Sequence, residues 1–362
     1  MPDIFDYIKW RGDLSFHSDP PNEVDALVFS GLAYICYGAV LPADISTRLT
    51  LREAAREVLA MPDLLSRSQI KNDRELLKVA SESDRFGNCI LTHYVEYIAP
   101  EEETQFAAIT FLLDDGSAFL AFRGTDDSLT GWKEDFNMSF LESVPAQRMA
   151  VEYVESFAQS HTLLLRLAGH SKGGNLAVYA GARVAEKIQN RILRVYNNDG
   201  PGFGTHMMKD EGYLRIIPKI RTFVPQSSVI GMLLEHEESY TVIRSDQVSL
   251  LQHDFYSWRL LGKAFIRVED VTAGSRFLDM TIKKWIAQMS PHERNVLVDT
   301  LFDLLESGEV RNAMDIFHPR NIRHYMKALS ANGNMRKLFS DELRNLVAAA
   351  RKARDRFGIE EG

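Results

Sequence analysis

The residues with the clearest chemical meaning in this 362-residue chain form the pentapeptide Gly169-His170-Ser171-Lys172-Gly173, a G-x-S-x-G motif. A largely apolar run, 163–167, precedes it, and a helix-compatible run, 176–180, follows it. Strand, tight turn and helix in this order form a nucleophile elbow, in which glycines let the backbone approach closely and the serine is pushed outward. The motif therefore predicts that Ser171 is a nucleophile. The alternative is a tight turn that only joins two core elements.

A serine nucleophile needs a base, and His253 is the predicted one. In hydrolases with this elbow the chain order is serine, acid, histidine, which leaves six of the ten histidines. His253 follows the last predicted strand, 240–244, in a polar and then aromatic loop over 251–258. Of the other five, His206 lies too soon after the serine and His236 precedes that strand. The remaining three lie in the helical C-terminal region and are His292, His318 and His324. A surface or packing role for His253 stays open.

The acid that orients the base is predicted to be Asp199, which follows a strand over 194–198 and begins an Asp-Gly-Pro-Gly loop. Such a loop at the carboxyl edge of a sheet can project a carboxylate, although a turn-initiating Asp suits the same sequence. The acid usually follows the next strand, where residues 224–228 contain no carboxylate. Asp246 and Glu235 therefore remain alternatives.

Acyl transfer also needs hydrogen-bond donors for the oxyanion. The backbone N–H of Lys172, directly after the serine, is the first predicted donor. Thr125 is the second, because a hairpin strand ends there and Gly124 allows close approach of the backbone; its hydroxyl could add a further donor. Arg123 and Asp135 are interpreted as scaffold residues that pin this loop.

Periodicity divides the chain into a helical segment packed on the core (1–85), a catalytic core (86–260) and a C-terminal helical region (261–362). In the core, β-branched and aromatic runs alternate with helical patterns, which predicts an α/β fold with a mainly parallel sheet covered on both faces. Asp114-Asp115-Gly116 predicts a hairpin turn. Capping signals at Thr50–Glu53 and Ser290–Glu293 predict helix starts.

Composition indicates an ordinary globular protein with a formal charge of −8. The N-terminus lacks the basic and apolar pattern of a signal peptide, so a cytoplasmic location is expected. Only Cys36 and Cys89 are present, which makes a disulfide framework or thiolate metal cage impossible. The sequence has no phosphate-binding loop, no H-E-x-x-H and no basic-aromatic platform in the sheet region, so we expect no cofactor, no metal and no nucleic-acid partner.

Charge is unevenly distributed along the chain. Residues 311–356 hold eleven Lys and Arg against four Asp and Glu, a local charge of +7 that leaves −15 for the rest. The solvated face of a helix explains such a basic segment, and an anionic partner is the alternative.

These motifs resemble a known family. The chain is similar to the class 3 (fungal-type) lipases in three successive motifs: Phe-Arg-Gly-Thr (122–125), then Trp132 and Asp135, then Gly-His-Ser-x-Gly-Gly with Asn175. The likeness is closer to a bacterial branch of lipase-like α/β-hydrolases, in which residues 6–13, 199–202, 231–234 and the Gln252-His253 pair are also expected. The resemblance covers about residues 1–260. It implies the α/β-hydrolase fold, Ser171 as nucleophile, Thr125 at the oxyanion and His253 as base.

Two departures from the family pattern matter. Lys172 replaces the usual apolar residue after the serine and is expected to make the pocket mouth cationic, which would favour anionic substrates. The usual acid position near Ser227 and Ser228 is empty.

The favoured hypothesis is a serine carboxylester hydrolase that acts on a small-molecule or lipid ester without a cofactor, with peripheral membrane contact possible. The other is a catalytically vestigial hydrolase fold that docks on an anionic membrane or partner through the basic C-terminal helix.

Overall fold

The computed structural model describes residues 1–41, 48–61, 72–125, 129–138, 141–204, 206–228, 230–234, 236–306 and 319–357. An eight-stranded sheet lies at its centre, with the strands hydrogen-bonded in chain order. The strands are β1 (Leu49–Thr50), β2 (Ile90–Ala99), β3 (Thr104–Leu112), β4 (Ser117–Phe122), β5 (Leu164–His170), β6 (Ile192–Asn198), β7 (Ile220–Pro225) and β8 (Tyr240–Ile243). Strands β1 to β4 pair antiparallel, whereas β4 to β8 pair parallel. The carboxyl ends of the parallel strands therefore share one edge.

The turn between β3 and β4 is the predicted hairpin. Gly116 has a φ of 77°, which a residue without a side chain adopts at no steric cost. The Asp115 carboxylate accepts a hydrogen bond from the Ser117 amide at 2.9 Å. The Asp-Gly signal thus fixes the last antiparallel pairing before the sheet becomes parallel.

Helices cover both faces of the sheet. They are α1 (Ile4–Arg11), α2 (Glu23–Leu32), α3 (Leu51–Leu59), α4 (Asp73–Glu82), α5 (Asp84–Gly87), α6 (Leu129–Asn137), α7 (Pro145–Ser160), α8 (Lys172–Arg183), α9 (Glu186–Gln189), α10 (Glu211–Ile216), α11 (Ala273–Gln288), α12 (Pro291–Glu306), α13 (Pro319–Ala331) and α14 (Gly333–Phe357). Alternation along β4 shows how the layers form. Phe119 and Ala121 join the hydrophobic cluster of α1 to α4, whereas Leu120 and Phe122 join that of α7, α8 and α10. The predicted mainly parallel sheet, covered on both faces, is confirmed.

The predicted helix starts at Thr50 and Ser290 are also confirmed. The Thr50 side chain accepts the Glu53 amide, and the Glu53 carboxylate accepts the Thr50 amide, which is a complete capping box. Helix α12 begins at Pro291, directly after Ser290. One local expectation is wrong, because the residues after 260 do not become helical at once. Two short strands, β9 (Leu260–Leu261) and β10 (Ala264–Phe265), form a small antiparallel hairpin there. Gly262, in its turn, has a φ of 61°. Strands of two residues are too short for periodicity to reveal.

A buried ion pair joins the N-terminal helices. Arg85 Nη2 lies 2.6 Å from Asp25 Oδ2, and both side chains are fully buried. The Tyr7 hydroxyl donates to Asp25 Oδ1 at 2.8 Å, and Arg85 Nη1 donates to the carbonyl oxygens of Leu14 and Asp19. These contacts connect α1, α2 and α5 through one satisfied pair of buried charges.

Asp25→Asn should lower the free energy of unfolding by about 3–5 kcal/mol, because it removes the carboxylate in direct contact with the buried Arg85 guanidinium and leaves only Asp19, 3.9 Å away. Urea unfolding at neutral pH measures the effect. The matched control is Asp84→Asn, which removes only the exposed 3.4 Å pair with Arg52 and should cost less than about 1 kcal/mol. Equal losses in the two variants would show that the buried pair has no special weight.

Candidate active site

Ser171 lies in a sharp turn between β5 and α8. Its φ of 57° and ψ of −133° are a strained backbone conformation for a residue other than glycine. A Cβ at Gly169 would lie 2.0 Å from the Gly173 carbonyl carbon, and a Cβ at Gly173 would lie 2.1 Å from the Phe122 carbonyl oxygen. The Ser171 amide donates to the carbonyl oxygen of Asn198 at 3.0 Å. Both glycines are therefore required where the turn meets the ends of β4 and β6.

Asp199 and His253 meet at the end of β6, although 54 residues separate them in the chain. Asp199 Oδ2 lies 2.6 Å from His253 Nδ1. Asp199 is fully buried and has a φ of 54°, a second strained position beside the elbow. The alternative Asp246 instead pairs with Arg259 at 2.6 Å, and the alternative Glu235 lies outside the described residues.

The loop after β7 supports Asp199 without supplying an acid. Ser228 Oγ donates to Asp199 Oδ1 at 2.5 Å. The Gly231 amide donates to Ser228 Oγ at 3.1 Å, and a Cβ at Gly231 would lie 2.2 Å from Asp199 Oδ1. The loop after β7, where the sequence has no acid, thus supplies a hydroxyl donor and an open space for the carboxylate of Asp199, which follows β6. The only sequence signal for this role is the run of small residues.

His170 connects the elbow with the loop that carries His253. Its Nε2 lies 2.8 Å from the carbonyl oxygen of His253, and its Nδ1 lies 3.0 Å from the Tyr34 hydroxyl. Because a carbonyl oxygen only accepts, Nε2 carries the proton and Nδ1 accepts from Tyr34. Burial holds the pKa of His170 well below its usual range, so the ring stays neutral. The two imidazole rings pack with centroids 4.5 Å apart, which brings His253 next to the residue that precedes Ser171.

Thr125, just past the end of β4, lies beside the same elbow. A Cβ at the preceding Gly124 would lie 2.6 Å from the carbonyl oxygen of His170, so the two loops touch. The Thr125 hydroxyl donates to Asp135 Oδ2 on α6. Burial raises the pKa of the Asp135 carboxyl to about 6, while the Lys172 ammonium and the Thr125 hydrogen bond pull it down. Arg123, two residues before Thr125, pairs with Glu96 at 2.7 Å and is almost fully buried.

The Lys172 side chain points into the protein, so the expected cationic pocket mouth is wrong. Lys172 is 1 % exposed, and its Nζ lies 3.0 Å from Glu134 Oε2 and from the carbonyl oxygen of Gln105. Glu134 is equally buried and also accepts the amides of Gln105 and Ala146. The charge after the nucleophile is therefore neutralised internally. Sequence reasoning missed Glu134, because no local pattern marks a partner 38 residues away.

Among the described residues, no three His, Cys, Asp or Glu side chains are arranged to hold a metal ion. Cys36 and Cys89 are free and buried.

A mostly parallel sheet flanked by helices, with a serine turn between β5 and α8, defines the predicted α/β-hydrolase fold. The chain belongs to the Mbeg1-like family, whose model matches residues 80–303.

Solved structures include two similar lipases. The Rhizomucor miehei lipase propeptide complex is 13% identical, with a TM-score of 0.39 over 67% of this chain and 80% of that one. The crystal structure of M37 lipase is 16% identical, with a TM-score of 0.36 over 59% and 70%. No curated protein sequence matches the chain.

Asp135→Asn should change how stability depends on pH. The pKa of Asp135 rises from 3.8 to about 6 on folding, so its protonation stabilises the fold, and this contribution is lost as the pH increases from about 4 through 6. The neutral amide does not titrate. The melting temperature of the variant minus that of the wild type should therefore increase by roughly 2–5 °C between pH 4 and pH 7.5, a range that allows for partial exposure of the side chain. A difference that is constant across this range contradicts the pKa assignment.

Glu134→Gln should destabilise the protein more than Lys172→Met. The first change removes the carboxylate in direct contact with the buried ammonium and leaves only Asp135, 4.0 Å away, a loss of about 3–5 kcal/mol. The second leaves a carboxylate that still accepts two backbone amides, so its cost should be smaller. Urea midpoints of the two variants test this order, and a larger loss for Lys172→Met would show that Lys172, not Glu134, holds the α6 contact together.

Proposed function

We propose that the protein is a serine carboxylester hydrolase that works through an acyl-enzyme. The observation that carries the proposal is the 2.6 Å contact between Asp199 Oδ2 and His253 Nδ1 beside the turn that presents Ser171. Because an ionised carboxylate only accepts hydrogen bonds, the proton of the neutral His253 ring lies on Nδ1, and Nε2 keeps its lone pair. That lone pair is the base that a serine nucleophile requires.

In the proposed reaction, Ser171 Oγ attacks the ester carbonyl carbon while His253 Nε2 takes the hydroxyl proton. The bond between the carbonyl carbon and the alcohol oxygen then breaks as the imidazolium gives this proton to the leaving alcohol. Water attacks the acyl-enzyme with His253 again as the base, which releases the carboxylic acid and restores Ser171. Asp199 holds the ring tautomer and stabilises the positive charge that forms on it.

We assign the oxyanion contacts to Lys172 and Thr125. Lys172 is the first residue of α8, where a backbone N–H has no partner within the helix and the helix dipole favours negative charge. The Thr125 hydroxyl is engaged by ionised Asp135, so its backbone N–H is the second donor in this scheme. Glu134 and Asp135, neighbours on α6, thus each hold one of the two residues that supply donors.

The substrate class is an ester of a small molecule or a lipid, which is consistent with a lipase-like family. Because the Lys172 charge is paired inside the protein, it gives no reason to expect an anionic substrate. The joint presence of Ser171, Asp199 and His253 at one sheet edge favours an active hydrolase over the vestigial binding module. The scheme uses no cofactor.

Two broader expectations belong to the same proposal. We assign the chain to the bacterial lipase-like branch on the motifs at 6–13, 199–202 and 231–234. The Tyr7 and Gly231 contacts give physical roles to two of these motifs. We also expect a cytoplasmic location, with which two free cysteine thiols are consistent.

The test is hydrolysis of p-nitrophenyl butyrate together with labelling by a fluorophosphonate probe. Ser171→Ala and His253→Ala should each lower kcat by roughly 10⁴- to 10⁶-fold, and the double variant should be no worse, because the groups act as a unit. Asp199→Asn should lower kcat by about 10⁴-fold through the wrong tautomer. Ser160→Ala, an exposed serine at the end of α7, is the control and should retain full activity and labelling. Wild-type turnover in Ser171→Ala, or a probe attached elsewhere, refutes the proposal.

A further inference from the structure

The outer face of helix α14 combines basic and apolar side chains. Residues three or four apart share one face of a helix. Among the described side chains of α14, the exposed positions after Gly333 follow this spacing and are Arg336, Lys337, Ser340, Leu343, Arg344, Val347, Ala348 and Arg351. Four of these eight residues are basic and none is acidic. Half-exposed Asp341 lies at the margin, 3.3 Å from Arg344.

The opposite face of α14 is fixed to the body of the protein. Ala349 is fully buried, and Glu342 Oε2 accepts a hydrogen bond from Trp285 Nε1 of α11 at 3.0 Å. The outer face is therefore the one that is turned away from the core by packing. Its two large apolar side chains are left in water there: Leu343 is 62% exposed and Val347 is 44% exposed.

We propose that this face docks the protein on a bilayer that contains anionic phospholipids. Basic side chains are attracted to such a surface, and each one near it strengthens binding by roughly fivefold. The remainder of the chain carries an excess of negative charge, so attraction is confined to this region. Leu343 and Val347, between the basic residues, can enter the boundary between headgroups and acyl chains.

A nucleic acid would pair with the basic side chains of this face but would leave Leu343 and Val347 without apolar contacts. Contacts to a phosphate backbone come from basic and polar groups, and they need no exposed leucine or valine in their midst. Helix α13 has the same mixture on its exposed positions, with Met326 66% exposed and Ile322 42% exposed near Lys327. Two successive helices of this composition favour a membrane surface.

The docking face is linked to the candidate active site through α11. Ser275, in the first turn of α11, donates through its Oγ to the carbonyl oxygen of Ser228, whose hydroxyl binds Asp199. Trp285, ten residues later on the same helix, holds α14. At 1.5 Å per residue, these two attachments are about 15 Å apart along α11. A docked α14 therefore keeps the hydrolase site close to the membrane, where a lipid ester would be found.

Vesicle flotation of the full-length protein tests the proposal. The wild type should float with vesicles of phosphatidylcholine and phosphatidylglycerol (7:3) at 0.1 M salt, bind pure phosphatidylcholine at least tenfold more weakly, and lose most binding at 0.5 M salt. R336Q/K337Q/R344Q/R351Q should weaken partitioning by roughly 10²- to 10³-fold. L343Q/V347Q should weaken it by about tenfold or more.

The controls separate docking from catalysis. K187Q/R194Q/K209Q/R221Q removes the same number of exposed charges elsewhere and should bind within about twofold of wild type. Ser171→Ala should float like wild type whether or not the proposed hydrolase activity is correct. All α14 variants should keep the wild-type midpoint of urea unfolding, which shows that they are folded whether or not the protein hydrolyses p-nitrophenyl butyrate.

Three results would overturn the docking proposal: no flotation with the anionic vesicles, equal flotation with pure phosphatidylcholine, or unchanged flotation of the quadruple α14 variant. A fluorescent duplex oligonucleotide provides the competing assay. Tighter binding of this oligonucleotide than of vesicles, insensitive to L343Q/V347Q, would identify a nucleic-acid surface instead.

Discussion

Burial of the Asp199 carboxylate is the constraint on which the architecture of the site depends. A carboxylate that leaves water loses several kcal/mol of hydration unless hydrogen bonds replace it. Here one oxygen contacts His253 and the other accepts the Ser228 hydroxyl, so both are satisfied from different loops. Since these loops follow β7 and β8 while Asp199 follows β6, three adjacent parallel strands must end at the same edge. The sheet order provides this, and the glycine at 231 keeps the space open.

The opposite side of the elbow shows the same logic with the charges reversed. Lys172 brings an ammonium group into the interior, which is acceptable only because Glu134 faces it and is itself bonded to two backbone amides. The next residue, Asp135, holds the Thr125 hydroxyl. One turn of α6 thus fixes the residues on both sides of the expected oxyanion position. A change in either acid therefore removes a contact of a residue to which we assign an oxyanion donor, although neither acid is proposed to touch the substrate.

Sequence alone was sufficient where the signal is local. The hairpin turn at Gly116, the capping boxes and the elbow at Ser171 each depend on a few consecutive residues whose backbone demands are known. Asp199 and His253 were also predicted to meet, and they do, because the order of elements limits which residues can reach the sheet edge. Their roles in catalysis stay predictions until the variants are measured.

The remaining features could not be read from the sequence because they depend on contacts between distant segments. Glu134 neutralises Lys172 across 38 residues, and without that partner a lysine after the serine was interpreted as a surface charge. Ser228 is the converse case. The absence of an acid after β7 suggested a gap in the site, whereas a hydroxyl was what the neighbouring carboxylate needed. His170 was excluded as the base by chain order, and nothing local indicated that it would bond to the backbone of His253.

The start of the C-terminal helical region contacts the candidate site, although the sequence boundary at 260 separates this region from the predicted catalytic core. Ser275 lies beyond that boundary, yet its hydroxyl binds the Ser228 carbonyl oxygen and so restrains the residue that holds Asp199. The backbone amide of Thr272 donates to the carbonyl oxygen of Gln226 at 2.6 Å, a second attachment of the same loop. A loop that supports a buried carboxylate must itself be rigid. If the Ser228 hydroxyl moved away, the Asp199 carboxylate would stay buried without that hydrogen bond, which is energetically unfavourable. Helix α11 supplies that restraint, and the same helix contacts α14 through the hydrogen bond from Trp285 to Glu342.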